Sequence, residues 1–281
     1  VKPVEQLTQK INSEFESGRI SLPTLPEIAI KVRKAVNNED KSIRDLATLI
    51  QADPSITARI IQISNSPLYK TATIADDCYS AISKLGMKTT RDIVTCLVLH
   101  NLFSTSNPGI HNKLKKVWKE SSYVAAISSV LARKIPALQV DTALLAGLVH
   151  NIGKLPILNY VEEFPELLED DAQLDSIVES MHQPIGTKIL QKWGFNEAIQ
   201  KIPEQTGNFM HDSNAAVDYV DIVIVAKIHS LFGSVTASNL PVLSDIPAFK
   251  KLALSDEGVE ASMTVLQEAQ SDIQLVLRSL L

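Results

Sequence analysis

The chain is short of glycine, aromatic residues and cysteine, and it has no long apolar run. Ten glycines in 281 residues leave little for Gly-rich loops that cradle phosphates or for glycine-demanding turns. Aromatics at 5%, beside abundant Leu, Ile, Ala and Val, suit helix packing better than a β-sandwich. The two cysteines, Cys78 and Cys96, each stand alone in an apolar-periodic segment. They offer no Cys-x-x-Cys pair for zinc and read as small buried hydrophobes in a reducing compartment. No run of 18 apolar residues occurs, and the start, Val1-Lys2-Pro3-Val4-Glu5, has no apolar signal-peptide core. These absences lead us to expect a cytoplasmic protein with no membrane partner.

What is present describes an ordinary soluble chain. Hydrophobic residues make up 45% and charged residues 21%, enough to bury a real core and too apolar for a disordered regulator. At about 150 residues per domain, the length allows one large domain or two small ones. The net charge of −5 hides an asymmetry: residues 1–115 carry 15 basic and 11 acidic side chains, and residues 116–281 carry 12 and 21. Neither half has the dense basic patch that displaces counterions from nucleic acid, which makes DNA or RNA a poor partner.

The punctuation predicts short helices first and long ones later. Gly18 stops an amphipathic segment from Val4 to Glu16. Leu22-Pro23-Thr24-Leu25-Pro26 is an extended connector, because a residue before proline is pushed out of the α region. Ser42 caps one helix, and Asp53-Pro54 opens the next. Gly86 ends a helix from Asp76 to Leu85, and a strongly apolar one follows from Thr89 to Phe103. Asn107-Pro108-Gly109 marks a boundary between residues 1–109 and 110–281. Beyond it a long helix runs from about Ile110 to Ile135, and Ala143 to Val149 is apolar all round, as in a central buried helix. An acidic surface stretch, Glu162 to Asp175, precedes an amphipathic segment from Ile185 to Trp193. Further helices are expected over Asn214–Phe232 and from about Asp256 to the end. The β-branched run Ile222-Val223-Ile224-Val225 could form a strand, but its flanks fit a helix and it would lack a partner.

Four motifs occur in order: Leu22-Pro23-Thr24-Leu25-Pro26-Glu27, then Ile50-Gln51-Ala52-Asp53-Pro54-Ser55-Ile56-Thr57-Ala58-Arg59, then Ser64-Asn65-Ser66-Pro67-Leu68-Tyr69, and finally Ala146-Gly147-Leu148-Val149-His150-Asn151-Ile152-Gly153-Lys154. Together they resemble the HDOD domain, a relative of the HD-type metal-dependent phosphohydrolases, over about residues 20–235. The resemblance implies an all-α fold: an amino-terminal helical bundle packed on an HD-like helical core.

HD hydrolases hold divalent metals with a histidine, an adjacent His-Asp pair and a distant aspartate, because the metals need imidazole and carboxylate donors. The resemblance places the first histidine at Glu120, the pair at His150-Asn151 and the last aspartate at Lys227 of Val225-Ala226-Lys227. Asparagine removes a negative charge, and an ammonium donates where a metal needs an acceptor. At an effective dielectric of about 20, a unit charge about 4 Å from a dication costs several kcal/mol. We therefore expect neither a catalytic set nor a metal or other cofactor. Two arrangements stay open: Lys227 occupies the metal's place and pairs with Glu120 beside His150 and Asn151, or the helices have drifted and both residues face solvent. A single metal on Glu120, His150 and a third group is a further alternative.

Other features have plain readings. Asp45 to Ile63 has the cadence of a helix-turn-helix, but with net charge near zero it reads as two packed helices. His182, before Pro184, is a packing or capping histidine in a possible polar pocket. In His211-Asp212, Asp212 or Ser213 is expected to cap the following helix. The site where phosphodiesterase-like relatives carry paired histidines reads Glu204-Gln205-Thr206. The resemblance implies a bacterial signalling module that binds an unidentified signalling protein or a nucleotide. The alternatives are a metal-dependent phosphohydrolase and, less favoured by the charge, a DNA-binding regulator.

Overall fold

Local capping chemistry starts the first helices. In the computed structural model, which describes residues 3–69, 73–213, 216–231, 240–252, 264, 266–267 and 269–280, α1 spans Pro3–Glu16 and Gly18, at φ +70°, turns the chain out of it. Helix α2 spans Glu27–Val36. Ser42 opens α3, Ile43–Gln51, with a capping box in which Ser42 Oγ accepts from the Asp45 N–H and Asp45 accepts from the Ser42 N–H. Asp53 opens α4, Pro54–Ser64, by accepting from the N–H groups of Ser55 and Ile56. Each such cap satisfies donors that the first helical turn leaves open, worth about 1 kcal/mol. Asp77 caps α5, Cys78–Leu85, and Gly86 at φ +83° passes directly into α6, Met87–Leu99.

The second half is built around longer buried helices. Asn107 caps α7, Pro108–Ala132, which precedes α8, Val140–Val149. The two helices cross closely at Gly147, where a Cβ would lie 2.4 Å from Ala125 Cα. After a short turn come α9, Lys154–Tyr160, and α10, Asp171–Lys192. Two one-turn helices follow, α11 at Glu197–Gln200 and α12 at Ile202–Gln205, and then α13 at Tyr219–Leu231. The short α14, Pro247–Lys251, packs on α13, and α15, Gln270–Leu280, packs on α7. Among the described residues there is no strand, so the fold is all-α.

Helices α2 to α6 form the amino-terminal bundle, which joins the second half where α6 packs on α8. Helix α8 has seven consecutive buried residues, Ala143 to Val149, and α13 buries Ile222 to Val225 against α7 and α8. The β-branched run is thus helical, its strand propensity overridden by burial on every side. Helix α1 packs on α9 and α10 rather than within the bundle. The connector after it is pinned to the same half by the Trp193 indole N–H donating to the Pro23 carbonyl at 3.0 Å.

Two expectations are corrected here. The end of the acidic stretch, from Asp171, and most of the Ile185–Trp193 segment belong to one helix, because α10 runs unbroken through Pro184 to Lys192. The ring removes one backbone donor, but Ile185, Gly186, Ile189 and Leu190 beyond it are buried and hold the helix in place. Asp212 and Ser213 do not cap α13. Asp218 stands there instead, accepting from the N–H groups of Val220 and Asp221, while Asp212 pairs with Lys251 at 3.0 Å. Of the Asn214–Phe232 segment, residues 214, 215 and 232 lie outside the described residues, as do 256–263, 265, 268 and 281 of the last expected helix.

Candidate functional site

The candidate site lies where the turn after α8 meets α10. An ideal Cβ on Gly153 would fall 1.8 Å from the His182 carbonyl oxygen and 2.6 Å from the Gly186 nitrogen. Only glycine lets the turn lie this close to α10. The contact brings four polar residues together: His150 at the end of α8, Asn151 in the turn, Lys154 at the start of α9, and His182 on α10. All four are buried.

The hydrogen bonds define their protonation. His150 Nδ1 lies 2.6 Å from the Gly147 carbonyl, so Nδ1 carries the proton and Nε2 the lone pair. Burial pushes His150 well below the usual imidazole range, and the positive charges of Lys227 and Lys154 add to this, so the ring is neutral at pH 7. Burial also lowers His182, against the pull of Glu179. His182 Nε2 lies 3.4 Å from Glu179 Oε2, and its Nδ1 has no partner among the described residues. The Lys154 ammonium donates to the other Glu179 oxygen. Burial raises the Glu179 carboxyl, but the His182 contact and the Lys154 charge outweigh it and hold the group well below the usual range.

Lys227 approaches from α13. Its Nζ donates to the Thr206 carbonyl at 2.9 Å and lies 5.7 Å from the Phe209 ring centroid. Burial lowers its pKa to about 8; Glu179 opposes the shift and Lys154 adds to it. Glu120, on α7, is exposed at the rim of a cavity of about 90 Å³ that Lys113, Lys116, Lys154, Asp175 and Glu179 also line. Partial burial raises its carboxyl, with Lys154 and Lys116 pulling the other way.

Of the two arrangements left open, the Glu120–Lys227 pair is not made, and the solvent-facing alternative holds for Glu120 but not for Lys227, which is half-buried. Lys227 donates to the Thr206 carbonyl, and the carboxylate acting on it is Glu179 rather than Glu120. The lysine that pairs is Lys154, the last residue of the Val149-His150-Asn151-Ile152-Gly153-Lys154 motif. Sequence reasoning missed both members of this pair. The available signal was the i, i+3 spacing of Glu179 and His182, which places them on one helix face.

This arrangement does not fit a di-metal centre. Of the four positions to which the resemblance assigns HD ligands, only His150 offers a suitable donor in the buried cluster. Asn151 is neutral, and the position the resemblance gives the last carboxylate carries the Lys227 ammonium. Among the described residues no three His, Cys, Asp or Glu side chains converge as a metal would need. A half-neutralised cluster with two ammonium groups repels a dication rather than holding it.

The fold and this degenerate HD-type site define an all-α HD-related protein. The HDOD domain profile matches residues 22–208, and the chain belongs to the HDOD domain family. A crystal structure from Shewanella amazonensis SB2B, of a protein provisionally named a metal-dependent phosphohydrolase, is similar over 100% of both chains, with 27% identity and a TM-score of 0.84. An HDOD domain protein of unknown function from Geobacter sulfurreducens shares the fold at 22% identity and TM-score 0.63, over 98% of this chain and 96% of its own. A protein from Marinobacter aquaeolei VT8, provisionally named for signal transduction, does so at 18% and 0.62, over 99% and 66%. An uncharacterized Treponema pallidum protein is 21% identical over 70% of this chain, which spans 39% of that relative's length. No helix among the described residues is long and apolar enough to cross a membrane.

Proposed function

We propose that the chain is a regulatory module of bacterial signal transduction, acting in the cytoplasm by binding a signalling protein or small nucleotide-like ligand rather than by hydrolysis. The observation that carries this reading is the pair of ammonium groups, Lys154 and Lys227, beside His150 and Asn151. Hydrolysis in the HD manner requires a metal to lower the pKa of bound water and to polarise phosphate. A site with two fixed positive charges has nothing to gain from a third. The Lys154–Glu179 contact instead joins α9 to α10 and leaves Lys154 engaged with a carboxylate rather than with a metal-bound phosphate.

The second reading, a metal-dependent phosphohydrolase, is favoured by the name of the Shewanella amazonensis relative. Turnover assays separate the two. The chain is mixed with phosphomonoesters, nucleotides and cyclic dinucleotides in the presence of manganese, iron, nickel or zinc. We expect no turnover above that of the His150→Ala variant. Metal-dependent turnover that His150→Ala abolishes would establish the enzyme instead.

A further inference from the structure

A second polar cavity, of about 200 Å³, lies at the seam between the two halves and contains none of the residues of the His150 cluster. Arg33 of α2 and Arg91 of α6 line it from the bundle side. The turn after α10, with Gly194, Phe195 and Asn196, lines it from the other. Gly194, at φ +67°, turns its carbonyl toward the seam, where Arg33 Nη2 donates to it at 2.8 Å. The Arg33 guanidinium also stacks 3.9 Å from the Phe195 ring centroid. Arg91 Nε donates to Asp92 Oδ1 at 2.7 Å, and the second oxygen of Asp92 accepts from Thr142 Oγ1 at 2.9 Å.

The charges do not balance. Two guanidinium groups share a cavity with one carboxylate, and both oxygens of that carboxylate are engaged. Among the described residues Arg91 keeps Nη1 and Nη2 without a protein acceptor, and Arg33 keeps Nε and Nη1. Asn196 uses its side-chain oxygen to accept the Ile199 N–H at 3.1 Å, which leaves its NH₂ group as a further donor at the cavity. The free groups are therefore donors, and the net formal charge of the lining is positive. Burial and the charge of Arg91 both act to lower the Arg33 pKa, the electrostatic sign of two like charges held close.

We propose that this cavity binds a single oxyanion group, with Arg33 and Arg91 as its clamp. Guanidinium forks match the planar pairs of acceptors that phosphate and carboxylate present, and charge-assisted bonds of this kind are the strong ones. The cavity is smaller than the roughly 300–1,000 Å³ that takes a whole organic ligand. It therefore holds one phosphoryl or carboxylate head, with the rest of the molecule outside. An anion there would screen the two arginines and join α2 and α6 to the turn after α10, adding a bond across the seam. The inference does not depend on whether the His150 site is catalytic.

The test is a titration of the whole chain with inorganic phosphate at low ionic strength, followed by the amide resonances of Gly194, Phe195 and Asn196. A saturable shift with Kd of about 1 mM or tighter is expected. Arg91→Gln should weaken it at least about tenfold, since one arm of the clamp is lost. Arg33→Lys keeps the charge but loses the fork, and carries the same test if Arg91→Gln fails to fold. Acetate and a nucleoside monophosphate are titrated in parallel. Tighter binding of the nucleotide identifies a phosphoryl end, equal binding of acetate a carboxylate, and phosphate alone a free ion. Linear, unsaturated shifts with all three, or saturable binding that persists unchanged in both variants, would overturn the proposal.

Discussion

The Lys154 ammonium donates to the Glu179 carboxylate and so ties the first residue of α9 to the middle of α10. The two ends of this contact differ in exposure: the Lys154 side chain is 7% exposed and that of Glu179 60%. Water therefore screens one partner of the pair, and its contribution is that of a surface pair, about 0–1 kcal/mol. Losing the carboxylate costs more on the other side, because Lys154 is buried and would face a neutral acceptor.

Glu179→Gln should lower stability by about 1 kcal/mol at pH 7. The folded-state pKa of Glu179 lies below its unfolded value of about 4.3. The stability it contributes is thus complete above that value and lost as pH falls below it. Urea unfolding of both proteins between pH 7 and 3 should show the difference shrinking in acid. A difference that holds constant to pH 3 would mean that the carboxylate charge is not what acts.

Lys227 carries the opposite sign. Its pKa of about 8 in the folded chain lies below the unfolded value of about 10.4. The buried ammonium therefore costs stability below pH 8, and the cost is relieved as pH rises from about 8 to about 10.4. Lys227→Met should raise the Tm at pH 7 by a few degrees, on the order of 1 kcal/mol, as replacing a buried charge with a packed apolar side chain often does. The gain should fade by pH 10. A lower Tm for Lys227→Met at pH 7 would show that the bond to the Thr206 carbonyl outweighs desolvation.

Asp141, near the start of α8, accepts from the Tyr69 hydroxyl and is pushed up to about 7 by burial, with its own backbone N–H pulling the other way. The folded chain thus holds this proton where the unfolded chain, with a value of about 3.9, has released it. The buried carboxylate costs stability once it ionises: stability falls as pH rises from about 4 to about 7, and the cost is complete above about 7. Wild type should lose stability relative to Asp141→Asn across that window, read by denaturant midpoints at matched pH. Parallel curves for the two proteins would contradict the burial argument.

Two glycines should respond differently to alanine. At Gly153 a Cβ meets the His182 carbonyl, a backbone atom that cannot yield. Gly153→Ala should cost about 3 kcal/mol or prevent folding, and Tm should drop steeply. At Gly194 nothing lies within 4 Å but φ is +67°. Gly194→Ala should cost only about 1–2 kcal/mol, the strain of the left-handed region. Equal costs would mean that the turn after α8 does not rest on α10 as described.

Much of the fold was legible because it is written locally. Ser42, Asp53 and Asn107 cap the helices that the spacing predicts, and Gly18 and Gly86 stop them. The motif His150-Asn151-Ile152-Gly153-Lys154 marked the site. What was not legible depended on distant neighbours. Pro184 reads as a break, yet buried residues beyond it carry α10 through. Glu120 and Lys227 have complementary charges, but Lys227 donates to the Thr206 carbonyl and the carboxylate that acts on it is Glu179. Asp212 has the chemistry of a cap, and Lys251, 39 positions on, claims it. The Arg33–Arg91 seam joins residues from α2, α6 and the turn after α10, a grouping that no linear spacing contains.

The most direct test of the central claim, that ammonium groups have displaced metal chemistry at the His150 site, is metal content per chain. The protein is purified without chelator, loaded with manganese, iron or zinc, dialysed, and read by elemental analysis beside His150→Ala. Metal far below one equivalent, and the same in both proteins, is expected. Near-stoichiometric metal that survives dialysis and is lost in His150→Ala would contradict it.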